Sequence, residues 1–456
     1  MAKGQELSTD DDVETGPLGT VGEHRVRRTE REAPVNLHTL LRMCEAGEVR
    51  CSEKTGRPSA ATVQAIAARL TDGDFYLGEP MAAFAWPLLL QAGGLARIES
   101  GRLRLTPKGR AALDKRAAEV IRQLWVRWLS HAVIDEFSRI EQIKGQRAAN
   151  VLSAARTRRE TVAEALTSCP AGEWEGVDAL FTRMQHSRLN PTIARSERAL
   201  WRLYLVDAEY GSLGYDGFHQ WELLEGRYTL AVLFEYAATL GLIDVEYVHP
   251  AGERDDFREN WGADEMDALS RYDGLQALRL NDLGAYVLGL TGEYTPPEPD
   301  AADGATLRVL PTLQVVAAGR LTPDDEIVLS TWCTRMTKEI WAIEGAGLLD
   351  AIHTGHRLDE FAALLRRRSQ NELPATVQAL LEEITSRANQ LSDSGVVRMI
   401  ECADPAVADR VLHDRSAGRY CRRLGDRHLA VPVDQEAKFR AALLSLGYVL
   451  PGQRQP

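Results

Sequence analysis

One short phrase occurs twice in the chain, as Leu-Arg-Leu-Thr-x-x-Gly at 103–109 and as Leu-Arg-Leu-Asn-x-x-Gly at 278–284. In each copy the alternating apolar residues predict a strand, and Thr106 or Asn281 is a suitable cap for the helix that follows. Each copy also follows an apolar helical segment that ends near glycine. Because such repetition is typical of one small unit used more than once, it constrains the fold more than any other feature.

The region 35–170 predicts the first of these units. A helical stripe (LHTLLRMCEAG) leads into a brief strand, a turn (KTGRP) and a helix that Ser59 would cap. A second apolar helix (WPLLLQAGGL) precedes a hairpin that turns at Gly101, and a long helix follows. A helix followed by a hairpin and a further helix is the order found in winged-helix domains.

The rest of the chain predicts further divisions. Residues 1–34 are polar and aperiodic and are interpreted as a disordered tail. Residues 171–290 form a further winged-helix region that contains an acidic insertion, and the Pro- and acid-rich stretch 291–304 is a linker. Residues 305–456 alternate short strands with helices. The predicted fold class is therefore mainly α with small β-hairpins (α+β), with tandem winged-helix domains followed by one α+β domain.

Composition places the chain among cytoplasmic globular proteins. Of the 456 residues, 44% are hydrophobic and 26% are charged. The run from Met81 to Leu90 is far too short to cross a bilayer, and the N-terminus lacks a secretion signal. The six cysteines form no C-x-x-C pair, which favours buried, reduced thiols over a zinc site.

Charge is distributed unevenly along the chain. The net charge is −12, but residues 37–170 carry about +6 and residues 201–300 about −14. This asymmetry favours a DNA-facing first third and an acidic middle that repels phosphate. Ordinary variation in surface charge is the alternative interpretation.

Two segments carry a resemblance to a known family. They are IWAIEGAGLLDAIHTGHRLDEFAALLRRRSQNELPATVQALLEEI, which begins at Ile340, and GVVRMIECADPAVADRVLHD, which ends at Asp414. Through them, residues 305–456 resemble the N-terminal domain of XPB-type DNA helicases. This resemblance implies an α+β domain that docks on a separately encoded helicase of that type.

The first 300 residues resemble the winged-helix arrays of actinobacterial helicase-associated proteins. The phrases SEKTGRPSAAT, LTPKGRAAL, EYGSLGYDG, FEYAATLGLIDV and LSRYDGL carry this resemblance. The winged-helix subunit of the transcription and repair factor TFIIH is a more distant parallel.

No motif for catalysis is found in the sequence. A helicase motor needs a G-x-x-x-x-G-K-[ST] phosphate loop, and no Gly-Lys-Ser/Thr triplet occurs, so the glycines of 211–217 are interpreted as a plain loop. Neither 353–360, with two histidines and two acids, nor the acidic stretch 255–267 has the spacing of a metal site, and no G-x-S-x-G elbow occurs. The prediction is a protein that is not an enzyme and has no cofactor, metal or small-molecule substrate.

The candidate binding residues are cationic. In a winged-helix unit the hairpin and the helix ends grip phosphates. The predicted DNA-binding residues are Arg50, Lys54, Arg57, Arg102, Arg104, Lys108, Arg110, Lys115 and Arg116. Charge continues along the chain at Arg122, Arg127, Arg156, Arg158 and Arg159. The predicted partner-binding residues are Arg366, Arg367, Arg368, Arg419, Arg422 and Arg423.

These features predict a non-catalytic, nucleoid-associated accessory factor that binds DNA with low specificity and docks on or regulates a helicase in DNA repair, transcription or anti-phage defence. One alternative is a sequence-specific winged-helix regulator of transcription. Another is a protein-interaction scaffold of a defence complex that does not bind DNA.

Overall fold

The structure is a computed structural model of the full chain, and it describes residues 18–19, 21–215, 221–297, 306–319, 321–369, 371–391 and 395–451. The fold is mixed α and β, with 44% helix, 16% strand and small antiparallel sheets. The chain divides into two compact units, 1–378 and 379–456. No helix in these described ranges is both long enough and apolar enough to span a bilayer.

Helices are the main regular secondary structure of the first unit. They are α1 (Thr29–Ala46), α2 (Ala60–Ala67), α3 (Ala82–Ala92), α4 (Pro107–Ala112), α5 (Ala117–His131), α6 (Ala155–Thr167), α7 (Val177–His186), α8 (Glu197–Leu200), α9 (Arg227–Leu230), α10 (Asp282–Leu288), α11 (Pro323–Trp332), α12 (Gly345–His353) and α13 (Leu358–Arg368). The π-helical stretches Glu222–Gly226 and Ala231–Ala237 flank α9, and α14 (Ala375–Ala388) crosses the boundary between the units.

Three sheets belong to the first unit. Their strands are β1 (His24–Arg27), β2 (Ala96–Glu99), β3 (Arg102–Leu105), β4 (Trp174–Gly176), β5 (Ile243–Val248), β6 (Leu275–Leu280), β7 (Thr306–Leu310), β8 (Gln314–Ala318), β9 (Thr334–Arg335) and β10 (Ile340–Ala342). β2 and β3 pair as a hairpin, and the two four-stranded sheets have the orders β1-β5-β6-β4 and β7-β8-β10-β9.

The repeated phrase folds in the same way in both copies. The side chain of Thr106 accepts a hydrogen bond from the Gly109 N–H at the start of α4 (3.1 Å), and that of Asn281 accepts one from the Gly284 N–H at the start of α10 (2.9 Å). A Cβ on Gly109 would lie 2.0 Å from the carbonyl oxygen of Leu95. A Cβ on Gly284 would likewise lie 2.0 Å from that of Leu242. Glycine is needed in both copies because the new helix begins directly against the preceding chain. The tandem winged-helix arrangement itself stays a prediction.

The hairpin between β2 and β3 confirms the predicted turn. Ser100 and Gly101 both have positive φ angles, 51° and 72°, and Glu99 pairs with Arg102 across the turn. This is the backbone that two-residue hairpin loops favour, because its twist matches that of the strands. The long helix predicted after the hairpin is divided into α4 and α5.

The predicted disordered tail is wrong for residues 24–34, whereas residues 1–17 and 20 lie outside the described residues. β1 pairs with β5, with His24 opposite Val248, and α1 already begins at Thr29. A strand partnered so far along the chain leaves no local pattern of its own, and Pro34 hides the early helix start because proline usually ends a helical pattern.

The stretch after α10 packs against the first unit. Tyr294 is buried, and its ring lies 6.0 Å from that of Tyr286. The predicted linker 291–304 is described only as far as residue 297. Beyond it, Ile327 of α11 belongs to the same hydrophobic core as α1. The domain boundaries stay predictions, although the first unit extends to Gln378.

The second unit has its own small core. Its elements are β11 (Val397–Glu401), α15 (Pro405–His413), β12 (Arg422–Arg423), β13 (His428–Pro432) and α16 (Glu436–Ser445), with the sheet order β11-β13-β12. Ile400, Leu429 and Phe439 are buried in this core. β12 and β13 pair as an antiparallel hairpin that turns at Gly425, with Arg423 opposite Leu429.

Candidate nucleic-acid interface

The hairpin β2–β3 and the turn 52–57 form one continuous surface. The backbone of Arg50 bridges to Arg102 of β3, and the Cys51 N–H donates to the Gly101 carbonyl at 3.0 Å. The Gly101 N–H in turn donates to the carboxylate of Glu53 at 2.9 Å. The structure therefore brings Arg50 and the turn that contains Lys54 next to the tip of the hairpin.

Two of the predicted DNA-binding arginines cap a helix. Nη1 of Arg102 donates to the carbonyl of Gly47 at 2.6 Å, and Nη1 of Arg104 donates to the carbonyl of Glu45 at 3.2 Å. These carbonyls lie at the C-terminus of α1, where cations complement the helix dipole. Both guanidinium groups are therefore already hydrogen-bonded within the protein, at the C-terminus of α1.

Two more of these arginines bond to neighbouring segments. Nη2 of Arg57 donates to the hydroxyl of Ser138 at 2.9 Å, and Nη2 of Arg116 donates to the carbonyl of Tyr294 at 3.0 Å. These bonds hold the turn 52–57 and the chain before α5 against the rest of the first unit. A phosphate would compete with existing partners at both positions.

The remaining predicted residues are exposed to solvent. Within the described ranges, no side-chain hydrogen bond or ion pair engages the cationic groups of Arg50, Lys54, Arg110 and Lys115. Lys108 is exposed as well and donates to the carbonyl of Gly93 at 3.1 Å. Its pKa lies below the ordinary value because partial burial disfavours the ammonium and because Arg127 and Lys115 repel it. Such repulsion between neighbouring cations is what a phosphate would relieve.

The helix that precedes the hairpin cannot read bases. Every residue of α3 is buried except Phe84 and Gln91, which are half-buried. Gln91 donates to the carbonyls of Gly56 and Pro87. Since α3 occupies the position of a recognition helix in the predicted unit, this unit presents exposed cations but no helix face for the major groove.

Two of the basic residues that continue the charge along the chain lie inside the core. Arg158 and Arg159 are buried; Nη2 of Arg158 lies 2.5 Å from the Asp135 carboxylate, and Nε of Arg159 lies 2.9 Å and 3.0 Å from the two oxygens of Glu136. The hypothesis that these two arginines extend a DNA-binding surface is wrong, because both charges are neutralised away from solvent.

Glu136 gives a prediction about pH. Burial, helped by the neighbouring charge of Asp135, raises its pKa to about 7 against the attraction of Arg159. Because the folded protein binds this proton more tightly than the unfolded chain does, the group contributes stability that is complete below about pH 4.5 and is lost as the pH rises through about 7. We expect urea unfolding between pH 5 and 8 to show this decline, with a slope of at most about 1.36 kcal/mol per pH unit. Glu136→Gln should remove it.

The exposed residue Glu160, which pairs with Arg156 on the surface of α6, provides the control. Glu160→Gln should leave the pH profile of unfolding unchanged. A decline that persists in Glu136→Gln would assign the titration to another group.

The partner-binding candidates divide in a similar way. Arg367 and Arg368 both pair with the buried carboxylate of Asp325, at 3.1 Å and 2.8 Å, and so join α13 to α11. Arg366 is exposed. Of these three arginines, only Arg366 has a guanidinium that does not pair with Asp325. The role of all three in binding a partner stays a prediction.

In the second unit, Arg423 pairs with Asp409, whereas Arg419 lies over the ring of Tyr420 at 4.8 Å. Arg422 on β12 is exposed, and no ion pair engages it within the described residues. Arg422 is therefore the most available cation of this set.

The residues that suggested a metal have other partners. Arg42 pairs with Glu360 at 2.5 Å, Arg357 pairs with Asp359 at 2.5 Å, and the ring of His356 lies 3.7 Å from Glu45. These contacts join α13 and the turn before it to α1. No cluster of three or more histidine, cysteine or acidic residues suited to a metal occurs in the part of the chain that the structure describes. All six cysteines are free and buried.

The acidic insertion is better ordered than a solvated loop. Asp256 lies 2.6 Å from two nitrogens of the fully buried Arg227, and Phe257 and Leu269 are buried in the core. Parts of the acidic insertion therefore belong to the packed core of the first unit.

One exposed group was missed at the sequence level. Trp201, Tyr210, Tyr215 and Trp261 are each more than half exposed. The only sequence signal for them is the alternation of aromatic residues with glycine in EYGSLGYDG. Exposure of a ring depends on tertiary packing, and no periodic pattern reports it.

The geometry defines the class as a protein of mixed α and β structure with small antiparallel sheets, which is compatible with an α+β fold. No protein-family model matches the sequence, and no curated protein matches it either. The resemblance to the N-terminal domain of XPB-type helicases stays a prediction.

Proposed function

We propose that this protein is a non-catalytic accessory factor that binds DNA through phosphate contacts and docks on, or regulates, a helicase. The observation that carries the DNA half is a set of exposed cations beside the β2–β3 hairpin, which lie just before and in the turn 52–57 and in and after α4. Its members are Arg50, Lys54, Lys108, Arg110 and Lys115. The helicase half rests on the resemblance of residues 305–456. Repair, transcription and anti-phage defence are the proposed settings, and the nucleoid is the proposed location.

The burial of α3 favours this function over sequence-specific regulation of transcription. A regulator of that kind needs side chains that reach base edges, whereas phosphate contacts position a protein without reading sequence. The exposed charged groups near the hairpin include Arg50, Lys54 and Lys108 together with Glu53 and Glu99, and α3 has no exposed side chain. Weak, salt-sensitive binding with little sequence preference is the expected behaviour.

Lys108 and Lys115 provide the direct test. The double variant Lys108→Gln/Lys115→Gln should bind a duplex of random sequence roughly tenfold more weakly at low salt. Because each lost phosphate contact removes about 0.9 from the slope of log K against log salt, the slope should fall by roughly 1.8. Fluorescence anisotropy of a labelled duplex, titrated at several salt concentrations, measures both quantities.

The double variant Arg308→Gln/Lys338→Gln is the matched control, since it removes two exposed charges on β7 and before β10. Its affinity and salt slope should stay near those of the unchanged protein. Equal losses in both variants would mean that net charge alone governs binding. No binding by the unchanged protein at about 50 mM salt would contradict the DNA half and favour the scaffold alternative.

The helicase half has a separate test. The XPB-type helicase from the same genome should co-purify with this chain, and its ATPase rate should change when the chain is added. Arg366→Glu and Arg422→Glu reverse the two most available partner-binding charges, and Arg387→Glu, at an exposed i,i+4 pair on α14, is the control. If the helicase neither binds nor changes its rate, this half of the proposal is wrong whatever the DNA result.

A further inference from the structure

A short hairpin-like loop at residues 203–213 displays the exposed aromatic side chains. The Leu213 N–H donates to the Leu203 carbonyl at 2.9 Å, and Tyr204 bridges to Ser212 across the loop. At the tip, the side chain of Asp207 accepts hydrogen bonds from the backbone N–H groups of Glu209 and Tyr210. These bonds hold the loop in one conformation.

Two aromatic pairs lie at opposite ends of this loop. Trp201 and Tyr215 meet edge to face at its base, with ring centroids 5.2 Å apart. Tyr210 at the tip lies against Trp261 from the acidic insertion, with centroids 5.5 Å apart. The exposed fractions are 51% for Trp201, 57% for Tyr210, 53% for Tyr215 and 54% for Trp261. We call these four residues the aromatic platform.

The glycines of the GSLG turn are explained by this packing. A Cβ on Gly214 would lie 2.8 Å from the ring of Trp201, and a Cβ on Gly211 would lie 2.8 Å from the carbonyl oxygen of Asp207. Both glycines allow the close approach that keeps the rings in place. The turn thus positions aromatic side chains rather than a phosphate group.

The surroundings of the platform are acidic. Residues 255–267 hold six carboxylates and one arginine, and Glu209, Glu259 and Asp264 are exposed. Of the cations close to the platform, Arg202 donates to the carbonyl of Ala149 and Arg258 to that of Asp264, whereas Lys144 and Arg198 near the base of the loop are exposed. Negative charge beside exposed rings repels nucleic acid and attracts cations.

We propose that the aromatic platform binds a basic segment of a partner protein through the guanidinium or ammonium groups of its arginines and lysines. The faces of Trp and Tyr attract such cations, and the exposed carboxylates provide charge complementarity. Tryptophan and tyrosine are also the residues that contribute most at protein interfaces. This surface acts independently of the cationic hairpin, so the two proposals succeed or fail separately.

The length of the loop sets the spacing of the ligand. About five residues of the loop separate the aromatic pair at its base from the pair at its tip. In extended chain they span roughly 10 to 15 Å. Three or four residues of an extended peptide cover the same distance. A segment with two basic residues at this spacing places one cation on each aromatic pair, which adjacent basic residues cannot do.

The test uses fluorescein-labelled Gly/Ser peptides and fluorescence anisotropy with the full chain at about 50 mM salt. A peptide with two arginines four positions apart should bind, and the same peptide with citrulline should bind at least about tenfold more weakly, because citrulline keeps the shape and loses the charge. A peptide with adjacent arginines should bind more weakly than the spaced one. Equal binding of the arginine and citrulline peptides would overturn the proposal.

Substitutions in the protein separate ring chemistry from hydrophobic contact. Trp201→Leu/Trp261→Leu should weaken binding of the spaced peptide about tenfold, whereas Trp201→Phe/Trp261→Phe should retain most of it. Val126→Ala, at an exposed apolar residue of α5, is the control and should have no effect. Equal affinities of the Leu and Phe variants would show that the rings are not cation sites. The proposal also fails if a single-stranded oligonucleotide displaces the peptide, or if the Leu variant changes only self-association.

Discussion

Replacing Arg227 with methionine is expected to lower the free energy of unfolding by about 3 to 5 kcal/mol, because the change leaves a buried carboxylate without its partner. Arg227 is fully buried between two π-helical stretches, and its Nε lies 3.0 Å from Oδ1 of Asp273, which is also fully buried. Asp256 neutralises the other side of the guanidinium. Equilibrium urea unfolding, followed by circular dichroism, measures the loss.

A double variant distinguishes the net contribution of this ion pair to the free energy of unfolding from the penalty of leaving one of its charges unpaired. Arg227→Met/Asp273→Leu removes the fully buried pair and should recover part of the loss, since apolar residues often replace a buried ion pair at little cost. The recovery is partial because Asp256 and the N–H of Leu269 each lose a partner. Arg156→Ala, at an exposed pair on α6, should change stability by less than about 0.5 kcal/mol. If Arg227→Met is as mild as Arg156→Ala, the ion pair does not contribute to the fold as described.

Local patterns account for the features that the sequence analysis predicted correctly. The cap residues Thr106 and Asn281, the glycines that follow them and the turn at Gly101 all act within a few residues of their own positions. The roles of these residues can therefore be predicted from the local sequence, without knowledge of the tertiary structure.

The state of each arginine depends on distant partners, and the sequence does not report it. Arg102 and Lys115 are both basic residues close to the hairpin, yet Arg102 caps α1 while Lys115 faces solvent. Arg159 and Arg156 are three residues apart on one helix, and only Arg159 lies inside the core. The candidate DNA surface could be located from the sequence, but its members could not be distinguished.

The segment 221–240 shows a second limit. Its apolar residues predict a long helix, and the structure contains helical turns throughout this stretch, but Glu225, Arg227 and Glu235 within it are buried. Nε of Arg139 pairs with Glu235 at 2.8 Å, and Ile193 donates its N–H to Glu225 at 2.9 Å. Charged residues in a helical pattern are normally assigned to the solvent-exposed face of the helix. That assignment is wrong for charged residues whose partners lie inside the core.

The second large effect is expected at Asp74, which holds the start of the buried helix α3. Its Oδ1 accepts the backbone N–H groups of Phe75, Met81 and Ala82, and Oδ2 accepts that of Ala83 at 2.8 Å. Asp74→Ala leaves these buried donors without a partner, and each such donor costs about 1 to 3 kcal/mol. Relaxation of the chain reduces the sum, and we expect a loss of about 3 to 5 kcal/mol in urea unfolding.

Asp74→Asn distinguishes the capping role from a purely electrostatic one. The amide keeps one oxygen as acceptor and places an N–H₂ group toward the Ala83 N–H, so a loss of roughly half that of Asp74→Ala is expected. Asp72→Asn is the matched control, because Asp72 is exposed and its φ of 58° suits asparagine. Equal effects at the two positions would contradict the capping role. Since α3 leads directly into β2, a loss confined to Asp74 also predicts that the hairpin loosens and that DNA affinity falls without any change of charge on its surface.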